Sequence, residues 1–144
     1  GFYKGFTNPN LSKTEFSWTI DPDGMLNTLL AIEDRYAMPI IITENGLGAY
    51  DELTSEGTID DDYRIDYYRK HLAKCQEAIE AGVQLIGYSP WSAMDLISVH
   101  EGIRKRYGFI FVDRNEKDVK EMARFPKKSY YWYQNVIASN GREL

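Results

Sequence analysis

The stretch PIIITENGLG, residues 39–48, decides how this fold can be interpreted. Its three consecutive isoleucines predict a strand over 40–43 with apolar neighbours on both faces, as in a parallel sheet. The run stops at Glu44, and Asn45-Gly46 would ordinarily signal a hairpin turn. The segment that follows, LGAYDELTSEG, lacks the alternation of a returning strand, which disfavours the hairpin. Glu44 is therefore predicted at the carboxyl end of a parallel strand, where α/β proteins carry catalytic groups.

Amphipathic helices are predicted on both sides of this strand. A turn at 21–24 precedes a helix with apolar residues on one side, and residues 63–82 place apolar side chains at spacings of three and four. Residues 83–91 predict a second strand, and residues 129–141 predict a closing helix with Ser129 as its N-cap. A short β run is expected at 109–114 and a charged loop at 115–128. Strands alternating with helices predict parallel βα units.

Composition excludes several classes of protein. The chain has 144 residues, 43% hydrophobic and 27% charged, which suits about one domain, and its net charge of −5 argues against a nucleic-acid partner. The single cysteine, Cys75, permits no internal disulfide and predicts a reducing, cytoplasmic location. No apolar run approaches the ~18 residues of a membrane span, so no membrane partner is expected. Because the first residue is not methionine, we expect a portion of a longer protein.

Two groups of potential metal ligands are interpreted as structural residues that bind no metal. The acidic run Asp60–Asp62 precedes a predicted helix, where it would lie in solvent and oppose the positive end of the helix dipole. His71 and Cys75 are four residues apart on that helix, but two ligands do not make a metal site. Both are assigned to packing, and no metal site is predicted.

The pentapeptide ITENG, residues 42–46, resembles the nucleophile signature of glycoside hydrolase family 1, the retaining β-glycosidases built on a TIM barrel. The flanking segments agree with the family in order and spacing. These segments are FSWTIDPDGMLNTLLAIEDRY, DDYRIDYYRKHL, GYSPWSAMDL, KRYGFIFVD and KKSYYWYQNVI. The resemblance implies an α/β fold class, with residues 1–144 as the C-terminal part of a TIM (β/α)8 barrel that includes its last two strands and their helices.

In a retaining glycosidase of this family, Glu44 would attack the anomeric carbon while a second carboxyl about 5–5.5 Å away protonates the leaving oxygen. The Asn-Glu-Pro segment that carries this acid/base in the family does not occur in the chain, nor does the Asn-Tyr strand that steadies the nucleophile. A complete barrel takes about 250 residues. We therefore expect this chain to be a fragment that is inactive, or nearly so, by itself.

The loop after the second strand distinguishes branches of the family. Members that act on plain glycosides have Trp-Ser-x-x-Asp-Asn-Phe-Glu-Trp there, whereas residues 91–99 read WSAMDLISV and place Ser98 at the glutamate position. A carboxylate would repel a 6-phosphate, while a serine hydroxyl can donate to it. Lys105 and Tyr107 follow at the spacing of the phosphate-binding trio of 6-phospho-β-glycosidases. The alternative is that Lys105 is ordinary surface charge and Tyr107 a core aromatic.

Two tryptophans also match family positions. Trp91 resembles the residue that floors the −1 sugar subsite, and Trp18 an aromatic that lines the aglycone side, although core packing is the alternative for Trp18. Aromatic faces pack well against a pyranose. Val99 replaces the tryptophan of 6-phospho-β-galactosidases and leaves room for an equatorial O4, which favours glucosides.

The resemblance therefore implies retaining hydrolysis of phosphorylated β-glucosides, such as cellobiose 6-phosphate or aryl β-glucoside 6-phosphates. It implies no metal or organic cofactor, since two carboxyl groups and water suffice. Two alternatives stay open. The protein could act on unphosphorylated β-glucosides, with Ser98 incidental, or the chain could be a non-catalytic fragment that binds sugar phosphate or assembles with other copies.

Overall fold

The structure, a computed structural model, describes residues 8–144, within which three helices and four strands are present. The elements are α1 Pro22–Tyr36, β1 Ile40–Gly46, α2 Asp62–Glu80, β2 Leu85–Trp91, β3 Ile110–Val112, β4 Arg124–Pro126 and α3 Lys128–Ala138. Strands β1 and β2 pair in parallel, as predicted, and β3 and β4 form a separate antiparallel pair. None of the helices in residues 8–144 has the length and apolarity that crossing a bilayer requires.

Strand β4 lies in a segment that was predicted to be a charged loop, and that prediction is wrong. Phe125 is its only large apolar residue and pairs with Phe111 of β3. A strand of three residues is too short to show an alternating pattern from which it could be recognised.

The start of α1 follows from its local chemistry. Asp21 is the N-cap, and its carboxylate accepts a hydrogen bond from the backbone N–H of Gly24 at 2.8 Å. Pro22 occupies the first helical position, where its missing N–H costs nothing. The predicted turn at 21–24 is thus the first turn of the helix. The helix ends at Tyr36, and its C-cap Ala37 adopts a left-handed conformation (φ 47°) two residues before Pro39.

Helices α1 and α2 cover one face of the β1–β2 pair. Leu29, Cys75, Ala78 and Val83 form the buried cluster there, and Ile40, Ile42, Leu85 and Tyr88 of the strands pack against it. His71 and Cys75 are both buried, and residues 8–144 contain no group of three or more potential ligands suited to a metal ion. The opposite face of the pair leaves Ile41 and Ile86 exposed.

Charged residues are buried beside this core. Asp61 is fully buried and accepts hydrogen bonds from Arg64 Nε at 2.9 Å and from the backbone N–H of Ser129 at 2.8 Å. The prediction that all of Asp60–Asp62 lie in solvent is therefore wrong for Asp61. The prediction for Ser129 is also wrong, because Lys127 is the N-cap of α3 and the Ser129 hydroxyl donates to Asp61.

Arg64 is the centre of this buried network. Its guanidinium is fully buried and bonds Asp51 at 2.9 Å, together with the backbone carbonyls of Leu47 at 3.0 Å and Tyr107 at 3.1 Å. Lys127 Nζ contacts Asp51 at 2.6 Å and extends the network towards β4. One side chain of α2 therefore joins the loop after β1 to the segment that contains Tyr107.

Replacing Arg64 by methionine should lower the free energy of unfolding by about 3–5 kcal/mol, because buried Asp51 and Asp61 would each lose a positive partner. Urea unfolding followed by circular dichroism measures the change. The matched control is Arg69→Met on the exposed side of the same helix, which should cost no more than about 1 kcal/mol. Equal losses in the two variants would contradict the central role of Arg64.

Stability should also fall in mild acid because of His71. Burial lowers the pKa of His71 below its ordinary value, against a smaller opposing effect of its hydrogen bond to the Tyr67 carbonyl. In the unfolded chain, His71 takes up a proton below about pH 6.5. The stability that buried, neutral His71 contributes is therefore fully present above that pH and is lost as the pH falls through the pKa of the folded state. The free energy of unfolding of the wild type should fall more steeply between pH 7.5 and 5.5 than that of His71→Gln. Parallel slopes would contradict this assignment.

Candidate active site

An irregularity at the end of β1 determines which way Glu44 points. Ile42 pairs with Tyr88, but the next pair is Asn45 with Pro90, so β1 has one residue more than β2 across this interval. Strict alternation would place Glu44 on the same face as Ile42, against the helices. The extra residue turns Glu44 to the opposite, exposed side, which is a common use of bulges beside functional sites.

Asn45, which the sequence analysis did not single out, anchors the backbone next to Glu44. Its side-chain oxygen accepts a hydrogen bond from the Tyr88 hydroxyl at 2.5 Å, and its amide donates to the Tyr67 hydroxyl at 3.2 Å. Burial raises the pKa of both tyrosines, so their hydroxyls stay protonated. Asn45 is held on the helix-facing side while Glu44 faces the other way.

The carboxyl ends of β1 and β2 lie unusually close together. A Cβ atom on Gly46 would be 2.1 Å from the Trp91 carbonyl oxygen, so this contact requires glycine. The Tyr68 hydroxyl donates to that same oxygen at 3.1 Å and fixes the end of β2 to α2. Trp91 is therefore held beside Glu44 through its backbone.

Residues 105–107 lie between the loops that follow the two strands. Arg106 exchanges backbone hydrogen bonds with Ala49, at 2.8 and 3.0 Å, and the Tyr107 carbonyl accepts from the N–H of Ser92 at 3.0 Å. The Arg106 side chain turns inward to Asp95 at 3.3 Å. In extended backbone, the residues on either side of Arg106 point the opposite way. This explains why Lys105 and Tyr107, spaced as Lys-x-Tyr, face the same cleft.

Ser98 is brought to Tyr107 by a tight loop. Ser98 and Gly102 exchange backbone hydrogen bonds at 3.0 and 3.1 Å, and Gly102 has the positive φ of 64° that such a turn favours. The Tyr107 hydroxyl donates to Ser98 Oγ at 3.1 Å. Because Ser98 Oγ is the acceptor in this bond, the hydroxyl hydrogen of Ser98 is available to donate to another group, such as a ligand.

All six residues predicted for the site line one cleft with a cavity volume of about 430 Å³. They are Trp18, Glu44, Trp91, Ser98, Lys105 and Tyr107. The cleft also contains Phe16, to which the sequence analysis gave no role; its one sequence signal is the Phe-x-Trp spacing with Trp18. The structure places the predicted residues together, while their chemical roles remain predictions.

The cleft combines an exposed carboxylate with a positively charged side chain. Glu101 also lines it, but the Glu101 carboxylate pairs with Arg104. Within residues 8–144, Lys105 forms no ion pair, so its charge is not neutralised by a neighbour. Such an arrangement can offer a nucleophilic oxygen at Glu44 and bind an anionic group at Lys105, beside the aromatic surfaces of Trp18 and Trp91.

Comparison with known proteins identifies relatives of this chain. The chain is 50% identical over 144 residues, its full length, to aryl-phospho-beta-D-glucosidase BglC of Bacillus subtilis, and 49% identical over 138 residues (95% of its length) to phospho-cellobiase of Klebsiella oxytoca. It spans 30% of the length of each of these relatives.

Among solved structures, the family 1 β-glucosidase from Thermotoga maritima matches with a TM-score of 0.88 at 36% identity, over 97% of this chain and 31% of that one. This match confirms the predicted α/β fold class, the C-terminal part of a TIM barrel with β1 and β2 as its last two strands. Residues 3–142 match the model of glycosyl hydrolase family 1. The chain belongs to glycosyl hydrolase family 1.

Proposed function

We propose that this chain supplies the nucleophile and the phosphate-binding groups of an enzyme that hydrolyses 6-phospho-β-glucosides with retention of configuration. The observation that carries the proposal is the position of Glu44 on the same cleft as Ser98, Lys105 and Tyr107. A carboxylate there can attack a sugar ring only if the rest of the substrate fits the remaining groups. Those groups suit a dianionic phosphate better than a neutral hydroxymethyl group.

The phosphate would be bound by one charge and by neutral donors. Lys105 supplies the positive charge, and it has no acidic partner to displace within residues 8–144. Ser98 supplies a hydroxyl hydrogen, and Tyr107 orients Ser98 through the 3.1 Å hydrogen bond between their hydroxyls. A glutamate at position 98 would instead place a negative charge beside the phosphate. These features favour a phosphorylated substrate.

The names of the relatives support the same substrate class. Two relatives at 49–50% identity are an aryl-phospho-beta-D-glucosidase and a phospho-cellobiase. Substrates of this chemistry include aryl β-glucoside 6-phosphates and cellobiose 6-phosphate. A phosphorylated sugar also implies a reaction in the cytoplasm, supplied by an uptake system that phosphorylates its sugars.

In the proposed mechanism, Glu44 attacks the anomeric carbon and the leaving oxygen departs with a proton from a second carboxyl group. Water then cleaves the resulting glycosyl ester on Glu44, with the second group acting as base. The family's Asn-Glu-Pro segment does not occur in these 144 residues. The second carboxyl would therefore come from the part of the barrel that the relatives have and this chain does not span.

A chimera tests the role of Glu44. Residues 1–144 would replace the matching C-terminal part of the Bacillus subtilis relative, and we expect the product to hydrolyse 4-nitrophenyl β-glucoside 6-phosphate. An activated 2-deoxy-2-fluoro-β-glucoside 6-phosphate should label Glu44, as found by intact mass and peptide mapping. Glu44→Gln should abolish the label and lower kcat by at least about 10³-fold, because the covalent route is lost.

The matched control for that test is Glu101→Gln, which changes the other glutamate of the cleft and should keep both label and turnover. Label on any residue other than Glu44, or full turnover by Glu44→Gln, would refute the assignment. The isolated chain, treated in parallel, should show no turnover.

Substitution of Ser98 tests the phosphate specificity. In the same chimera, Ser98→Glu should lower kcat/KM for the 6-phosphorylated substrate on the order of 100-fold, since two negative charges would meet in a partly buried site. Ser98→Ala should cost roughly tenfold, the loss of one hydrogen bond to a charged group. Neither change should lower kcat/KM for the matched unphosphorylated glucoside. A wild-type preference for the unphosphorylated substrate would favour the plain β-glucosidase alternative.

A further inference from the structure

The environment of the Lys105 ammonium is unusual for a buried lysine. Lys105 is only 3% exposed, yet it forms no hydrogen bond or ion pair through its side chain with residues 8–144. Lys105 lines the cleft, so an anion bound in the cleft can approach the ammonium from that side.

Aromatic rings take the place of an acidic partner. Lys105 Nζ lies 3.5 Å from the centre of the Trp18 ring, 4.7 Å from that of Phe16 and 5.4 Å from that of Tyr107. Each ring presents a negative face to a cation within about 6 Å. The lysine stem passes over Gly48, where a Cβ atom would be 2.5 Å from Cε and would displace the stem from this position.

The loop that carries Phe16 and Trp18 is fixed from both sides. The Thr14 N–H donates to the Trp18 carbonyl at 2.8 Å, closing a turn in which Ser17 has a positive φ of 62°. Glu15 accepts a hydrogen bond from the Tyr50 N–H at 2.7 Å, which joins this turn to the loop after β1. The rings are thus in place before any ligand arrives.

We propose that Phe16 and Trp18, with Tyr107, form an aromatic seat that positions the Lys105 ammonium for the substrate phosphate without neutralising its charge. This inference rests on the proposed function and adds Phe16 and Trp18 as positioning residues. An acidic partner would compete with the phosphate for the ammonium, whereas a ring face stabilises the cation and leaves its open side unoccupied. The phosphate then meets a cation that needs little reorganisation.

The test uses residues 1–144 as they are, with two readouts. The first is the NMR position of the Lys105 ε-methylene signal, identified by its loss in Lys105→Met. Ring currents of Trp18 and Phe16 should move that signal upfield of the other lysines, and Trp18→Leu should return it towards them. The second readout is the dissociation constant of glucose 6-phosphate, compared with glucose, by titration.

Trp18→Leu should weaken glucose 6-phosphate binding by about threefold to tenfold, and Trp18→Phe, which keeps a ring face, should restore most of the affinity and most of the upfield shift. Tyr36→Leu is the matched control, because Arg35 lies over that exposed ring at 5.5 Å, outside the cleft. It should change neither readout.

The outcomes separate the seat from the phosphate site. If the Lys105 signal of the wild type lies at the ordinary lysine position, the aromatic seat does not exist, whatever the affinity for glucose 6-phosphate. An upfield signal with equal glucose 6-phosphate affinities in wild type and Trp18→Leu would overturn its positioning role. If wild type and Lys105→Met bind glucose 6-phosphate no better than glucose, the proposed phosphate site fails, and the Lys105 signal still decides whether the seat exists.

Discussion

The buried guanidinium of Arg64 is the constraint on which the candidate site depends. It bonds the carbonyls of Leu47, in the loop after β1, and of Tyr107, in the segment that faces the cleft. Burying a cation is costly unless carboxylates and carbonyls surround it in good geometry. Asp51 and Asp61 supply the carboxylates around Arg64. The geometry therefore forces two separate loops into one arrangement. Glu44 and Lys105 lie on a common cleft because the backbones next to them share this partner.

Strand β1 serves two layers of the fold at once. Its first half packs Ile40 and Ile42 against the helices, which is what the apolar run predicts. Its second half must keep Asn45 on the helix side, between two tyrosine hydroxyls, and still present Glu44 to the cleft. A strict alternation cannot do both after Ile42. One extra residue resolves the conflict, so the bulge is part of the site.

The sequence predicted those features that depend on local patterns or on resemblance. Apolar runs and amphipathic patterns predicted the two parallel strands and the helices, and resemblance to the family selected Ser98, Lys105 and Tyr107, which the structure places on one cleft. The buried charges were not predicted, because Asp61 looks like an ordinary helix-start acid until a distant Ser129 covers it. Strand β4 was missed since three residues with one large apolar side chain show no alternation.

The missed residues share a physical reason. Asn45, Phe16 and Gly48 act through contacts that join segments far apart in the chain, and no periodicity records such contacts. Gly48 is the clearest case, because a Cβ atom at that position would overlap the Lys105 stem. A pattern analysis can place a residue on a face, but it cannot show what passes over that face.

A cleft that must hold a free carboxylate and a free ammonium has an intrinsic difficulty, since the two attract each other. An ion pair between Glu44 and Lys105 would leave neither available to a substrate, and the structure contains no such pair. Ring faces on the Lys105 side offer the cation an attraction that is independent of Glu44. The tryptophan that the sequence analysis assigned to the aglycone side would then also keep the charges of the cleft apart. In the proposed function, this separation is a precondition for nucleophilic attack and phosphate recognition within one cleft of about 430 Å³.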